Sequence, residues 1–355
     1  MKPLFYFLGF SILICASCTN QNSKDDNNKK IIEMDEFTTV NLSDKAKLIT
    51  DDPNILGTVS LIRYINDSII AVCQSRTEPH VALYNLNTGE VQPAIIKGSG
   101  PDEMLRVSTM SVDSSNNLWL AGLMDRKVMK VKWNQNGEKA SVEQAFKLPE
   151  DYLRGVTDFE GGIIGLPSTP HTKRIITLDS MGELRDSLGV YPIINMPDDV
   201  IPNNLIFQSD IAFNPETKKI MLVCRSWNFI DIIDAESKEI INLEYPIPAP
   251  IQIERTDFGE AFSYDPKPLW LMFSGVETTP ESFLVGLIGK EVKSPEDFDS
   301  QINSIMEFDM EGNAGRLFKF NNDILAFTIS DDGSRLFTIE NNPEPALYEY
   351  LILKQ

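Results

Sequence analysis

Asn66-Asp67-Ser68-Ile69-Ile70-Ala71-Val72-Cys73 is a polar turn that runs into a short apolar segment. Five apolar residues bounded by turn formers read as a strand, since a buried helix needs at least twice that length. The pattern returns along the chain. Ser115-Asn116-Asn117 leads into Leu118–Gly122, Glu160-Gly161-Gly162 into Ile163–Leu166, and Glu216–Lys219 into Ile220–Cys224. Pro280-Glu281-Ser282 then leads into Phe283–Gly289, and Asp332–Arg335 into Leu336–Glu340. Successive copies stand 45 to 63 residues apart. A second strand follows each of the first five, in VALYNLNTGE, VMKVKWNQNGE, IITLDSMGE, IDIIDAESKE and IMEFDMEGN. Gly89, Gly137, Gly182 and Gly312 stand where a hairpin needs positive φ.

Six phased units of short strands, with no long 3.6-residue apolar period, predict an all-β chain folded as a six-bladed β-propeller. The sixth unit supplies ILAFTIS, RLFTIE and ALYEYLIL and then ends, one strand short of a four-stranded blade. Glu36–Leu42 alternates and precedes the first unit. It is the expected N-terminal strand that closes the last blade. Pro246–Pro268 reads as a long inter-blade loop. Cys73 and Cys224 occupy equivalent positions in units one and four, on opposite sides of such a ring. They are expected as buried free thiols, too far apart for a disulfide.

The N-terminus is organised differently. Lys2, an apolar run from Leu4 to Ala16 and small Ser17 before Cys18 form a secretory signal peptide. The run is too short for a permanent span, which takes about twenty apolar residues. Thr19–Lys30 carries no apolar residue and reads as a flexible tether. The expected organisation is therefore 1–17 signal peptide, 18–35 lipidated cysteine and tether, and 36–355 propeller.

Charge and composition narrow the function. A hydrophobic share of 42% leaves material for a sizeable core and excludes wholesale disorder. A net charge of −20 disfavours nucleic acid as a partner. Only two histidines exist, His80 and His171, and they stand alone, so no zinc site and no cofactor is expected. No G-x-S-x-G elbow occurs, and no catalytic residue is assigned. Carboxylate pairs such as Asp51-Asp52, Asp198-Asp199 and Asp331-Asp332 keep a second class open, a lyase or glycoside hydrolase acting on carbohydrate.

The candidate ligand-binding residues come from aligning the units. Segments joining second to third strands share one face of a propeller. They hold Arg76 and His80 in unit one, Arg126 and Lys127 in unit two, His171 and Lys173 in unit three, and Arg225 and Trp227 in unit four. In an acidic chain this face is the place for an acidic glycan, a peptide carboxylate or an acidic envelope protein, held by arginine forks and the Trp227 ring. The alternative is that each arginine pairs with a blade carboxylate or caps a strand edge.

Ile14-Cys15-Ala16-Ser17-Cys18 resembles the lipobox of bacterial lipoproteins, with Cys18 as the lipidated residue. Cys15 stands where leucine is usual and is the other candidate. With the tether, the blade series and Lys97-Gly98-Ser99-Gly100-Pro101-Asp102-Glu103, the chain resembles the TolB-like six-bladed propeller lipoproteins of Bacteroidetes. That resemblance implies a propeller held by a lipid anchor at the cell envelope, on the outer membrane, facing the periplasm or the surface. It brings no catalytic residues. The glycine run lacks the Gly-Lys-Ser/Thr of a phosphate loop, and its glycines are read as permitting a tight loop capped by Glu103.

Overall fold

The computed structural model describes residues 29–122, 125–134, 139–148, 152–159, 162–167, 173–191, 207–258, 261–299, 301–341 and 343–352. Cys18, Gly137 and His171 lie outside them.

The apolar pentads are continuous because they are buried on both faces. In Ile69–Gln74, Ile69, Ala71 and Cys73 pack toward one neighbouring sheet while Ile70 and Val72 pack toward the other. Ile220 and Leu222 are likewise separated from Met221 and Val223. Strands of this kind belong between two other sheets, which a ring of blades provides.

The chain opens with three short strands, β1 (Lys29–Ile31), β2 (Thr38–Asn41) and β3 (Lys47–Thr50), and a single helical turn, Pro53–Leu56, capped by Asp52. Blade one holds β4 (Val59–Asn66), β5 (Ile69–Gln74), β6 (Val81–Asn85), β7 (Val91–Lys97) and the two-residue β8 (Glu103–Met104). Blade two is β9 (Thr109–Val112), β10 (Leu118–Gly122), β11 (Lys127–Lys132) and β12 (Ser141–Lys147). Blade three is β13 (Tyr152–Phe159), β14 (Gly162–Pro167), β15 (Ile175–Leu178) and β16 (Leu184–Leu188). Blade four is β17 (Ser209–Asn214), β18 (Lys219–Cys224), β19 (Phe229–Asp234) and β20 (Ile240–Glu244). A hairpin, β21 (Gln252–Phe258) and β22 (Ala261–Lys267), precedes blade five, which is β23 (Trp270–Thr278), β24 (Ser282–Glu291), β25 (Ile302–Asp309) and the first half of β26 (Ala314–Ile329). The second half of β26 opens blade six, followed by β27 (Arg335–Asn341) and β28 (Pro345–Leu351).

Neighbouring strands within a blade are antiparallel, and only the two-residue β8 of blade one runs parallel, beside β7. Innermost strands touch in sequence, β4 with β9, β9 with β13, β13 with β17, β17 with β23 and β23 with β26, and β26 touches β4 again. The buried apolar residues of the described chain fall into six clusters, one in each gap between blades. The chain is all-β and forms a six-bladed propeller.

Three expectations are corrected. Glu36–Leu42 does not lie on the last blade, because its β2 runs parallel to β26 in blade five while Phe37 packs edge-on to Phe308 at 5.4 Å and Leu42 is buried between blades five and six. The outer edge of β28 is paired instead with β3, which was overlooked because an edge strand needs no apolar period. The tether does not extend to residue 35. Lys29–Ile31 pairs in parallel with β20, and Ile32 is buried between blades four and five. Pro246–Pro268 is not a plain loop, since it contains the β21–β22 hairpin.

Two readings hold. Cys73 and Cys224 are both free and buried, and burial pushes each thiol up to about 11. In the glycine run, the Glu103 carboxylate accepts from the Gly100 amide at 2.8 Å, and a side chain at Gly98 would collide with it.

Candidate functional site

Because strands alternate in direction, the loops from second to third strand lie at the same end of a blade as the connections between blades. Hydrogen bonds staple the two kinds of loop together. The Val107 amide donates to His80 Nε2 at 3.3 Å, Leu148 N to the Arg126 carbonyl at 2.8 Å, and Met272 N to the Arg225 carbonyl at 2.7 Å. Each of these ties one blade to the chain entering the next.

At the centre of the ring is a cavity of about 90 Å³. Ser60 and Arg63 of β4, Asp210 of β17, Arg225 at the end of β18 and Glu277 of β23 are its polar landmarks, with Phe327 of β26 on the apolar side. Two ion pairs organise it. Arg225 grips Asp210 with both ends of its fork, Nε to Oδ2 and Nη2 to Oδ1, each at 3.1 Å. The Gly275 amide donates to the same carboxylate at 2.9 Å, which joins blade four to blade five. Arg63 forms a close ion pair with Glu277, linking blade one to blade five past the inner strand of blade six. Thr328, on that strand, hydrogen-bonds Glu277 and accepts from the Tyr64 amide at 3.0 Å. Glu277 is 6% exposed, and burial pushes its carboxyl up to about 7 against the pull of Arg63.

The sequence-derived residues separate into two groups. Arg76 and Arg126 are exposed on the second-to-third-strand loops of blades one and two, and Arg225 is half-buried at the cavity. His80 and Trp227 are built into the wall. His80 is buried with Nδ1 against the Gln74 carbonyl, and burial holds its pKa below the ordinary imidazole value. Trp227 is 2% exposed and tilts against Phe207 and Phe229, so its ring offers no stacking face. Neither Arg76 nor Arg126 lines the central cavity. Arg63, Asp210 and Glu277 were missed. Their trace in the sequence is a charged residue inside an otherwise apolar strand, as in Leu61-Ile62-Arg63-Tyr64-Ile65 and Ser209-Asp210-Ile211-Ala212-Phe213, a pattern that Ile230-Asp231-Ile232 on a third strand shares and that does not single out an innermost strand.

Six blades around a small charged cavity define a β-propeller. The chain belongs to the TolB-like 6-blade propeller-like family, whose model matches residues 62–332. A provisionally named exported protein from Bacteroides fragilis shares the fold, with a TM-score of 0.53 and 13% identity over 92% of this chain and 99% of that one. A duf4221 family member from Bacteroides vulgatus does so with a TM-score of 0.54 and 11% identity over 88% and 99%. A protein of unknown function from Bacteroides thetaiotaomicron matches with a TM-score of 0.51 and 11% identity over 87% and 76%. At these identities the likeness is one of fold. No curated protein sequence matches the chain. No helix among the described residues is long and apolar enough to cross a membrane.

Proposed function

We propose that this chain is an exported, lipid-anchored propeller that binds or scaffolds without catalysis and takes an acidic ligand at its mouth. The carrying observation is the exposure of Arg76 and Arg126 on the loop face of a chain with net charge −20, with Arg225 at the adjoining cavity. Arginine forks on an acidic background select carboxylates by geometry as well as by charge. Export is supported by the signal peptide and by the name of the Bacteroides fragilis neighbour. Cys18 is the lipidated residue and places the propeller at the outer membrane.

Removing all three arginines is a poor test, because Arg225 neutralises Asp210, a carboxylate that is 6% exposed. The informative variant is Arg76→Ala with Arg126→Ala. Polygalacturonate and poly-glutamate serve as acidic glycan and acidic peptide probes. One of them binds the natural chain in a salt-sensitive manner, and the double variant weakens that binding at least tenfold with an unchanged melting temperature. Failure of both probes, or binding indifferent to the two arginines, would sink the reading.

A further inference from the structure

The two ion pairs of the central cavity are not equivalent. Arg225 and Asp210 satisfy one another through two hydrogen bonds, with a backbone amide completing the carboxylate. Arg63 reaches Glu277 through Nη1, while its Nε is buried without a hydrogen-bond partner. A guanidinium with a donor unused is half of a bidentate carboxylate fork.

Among the described residues the groups around Glu277 are few. β4 supplies Arg63 and β26 supplies the Thr328 hydroxyl. Across the cavity, Asp210 of β17 and Arg225 after β18 cancel one another, and β9 contributes Thr109 and Met110, neither of them charged. Among the described cavity residues, Arg63 is therefore the one positive charge matched to Glu277.

We propose that Arg63 and Glu277 form a binding site for a small carboxylate, which replaces Glu277 on the Arg63 guanidinium while Glu277 takes up one proton. The charges balance. The ligand brings one negative charge and the proton one positive, so Arg63 faces a single anion before and after. The buried setting of Glu277, which is 6% exposed, enforces this exchange, since a second unmatched carboxylate beside it would cost several kcal/mol. The proton comes from solvent and ends on a Glu277 carboxyl oxygen, where Thr328 is within hydrogen-bonding reach. Burial has already brought that carboxyl to about 7, so the protonated form is accessible near neutrality. The cavity volume of about 90 Å³ admits an acetate-sized group. Arg76 and Arg126 take no part, so this site stands or falls separately from the mouth.

Calorimetric titration of the full chain with sodium acetate tests it. Above about pH 8, buffers of different ionisation heat reveal close to one proton taken up per acetate bound. Affinity is constant below about pH 7 and falls about tenfold per pH unit above it, as linkage to one raised carboxyl requires. Glu277→Gln imitates the protonated form, binding acetate with no proton uptake and no pH dependence, while Arg63→Met abolishes binding. Should Arg63→Met fail to fold, the proton count and Glu277→Gln still decide. Absence of acetate binding at about pH 6, binding without proton uptake above about pH 8, or a matching response to chloride each overturns the proposal.

Discussion

At the residue scale, the turns between third and fourth strands show how one backbone need is met by different side chains. Gly89, Gly182 and Gly312 stand at equivalent positions with φ of +73°, +86° and +78°, and in blade four the same left-handed position is taken by Lys238 at +64°. A side chain there costs about 1 kcal/mol, so natural glycines and the lone lysine make opposite predictions. Gly182→Ala would set a Cβ 2.8 Å from the Phe146 ring and 2.9 Å from the Lys147 carbonyl. It is expected to lower the unfolding free energy by roughly 1–3 kcal/mol. Lys238→Gly is expected to raise it by up to about 1 kcal/mol, because the exposed ion pair with Asp186 that it gives up is worth little. Urea denaturation of the two variants checks both signs. These glycines were legible as an aligned series, and Lys238 follows by the same alignment. The charged residues of the cavity were not, because a strand pattern does not reveal which strand is innermost. His80 and Trp227 were misjudged for a related reason, since a loop position fixes the face but not whether the side chain turns inward.

At the element scale, the second and third strands of each blade were legible and the outermost were not. A strand buried on both faces is apolar along most of its length, so β5, β10, β14, β18, β24 and β27 announce themselves in sequence. An outer strand has one face in water and one edge free, which leaves short segments such as Lys47–Thr50 without a pattern. Asp231 of β19 looks like the polar half of an alternation, yet it is 2% exposed and forms a close ion pair with Arg174 at the start of blade three's third strand. Ser209 accepts from the same guanidinium at 3.0 Å, which ties blades three and four by side chains alone. Removing one partner of a buried pair strands the other charge, so Asp231→Ala is expected to cost about 3–5 kcal/mol. Arg174→Met with Asp231→Leu together should restore most of that loss, because it removes both charges and fills the space. A double variant as unstable as the single one would mean that the hydrogen bonds to Ser209 matter more than the stranded charge.

At the scale of the whole molecule, the N-terminal segment is a belt. β1 lies along blade four, β2 along blade five and β3 along blade six, so 22 residues bind three consecutive outer edges. Side chains fasten it as it goes. Lys30 donates to the Glu311 carbonyl at 2.7 Å, Phe37 packs on Phe308 at 5.4 Å, and Lys47 pairs with Glu349 at 3.0 Å. Ile32, Phe37 and Leu42 are each buried, and full burial of such side chains stabilises by about 1.5–3 kcal/mol apiece. Their sum is a large share of the 5–15 kcal/mol that holds an ordinary domain together. A chain beginning at Lys29 is therefore expected to melt where the full chain does. One beginning at Ser43 keeps only β3 and should melt several degrees lower while staying monomeric. One beginning at Asp51 also bares the edge of β28, and an uncovered strand edge invites pairing with other copies, so concentration-dependent aggregation is expected as well as a lower melting temperature. Thermal unfolding and size-exclusion chromatography of the three chains separate these outcomes. Equal melting temperatures for all three would show that blades four to six hold without the belt, and that the six gap cores carry the fold by themselves.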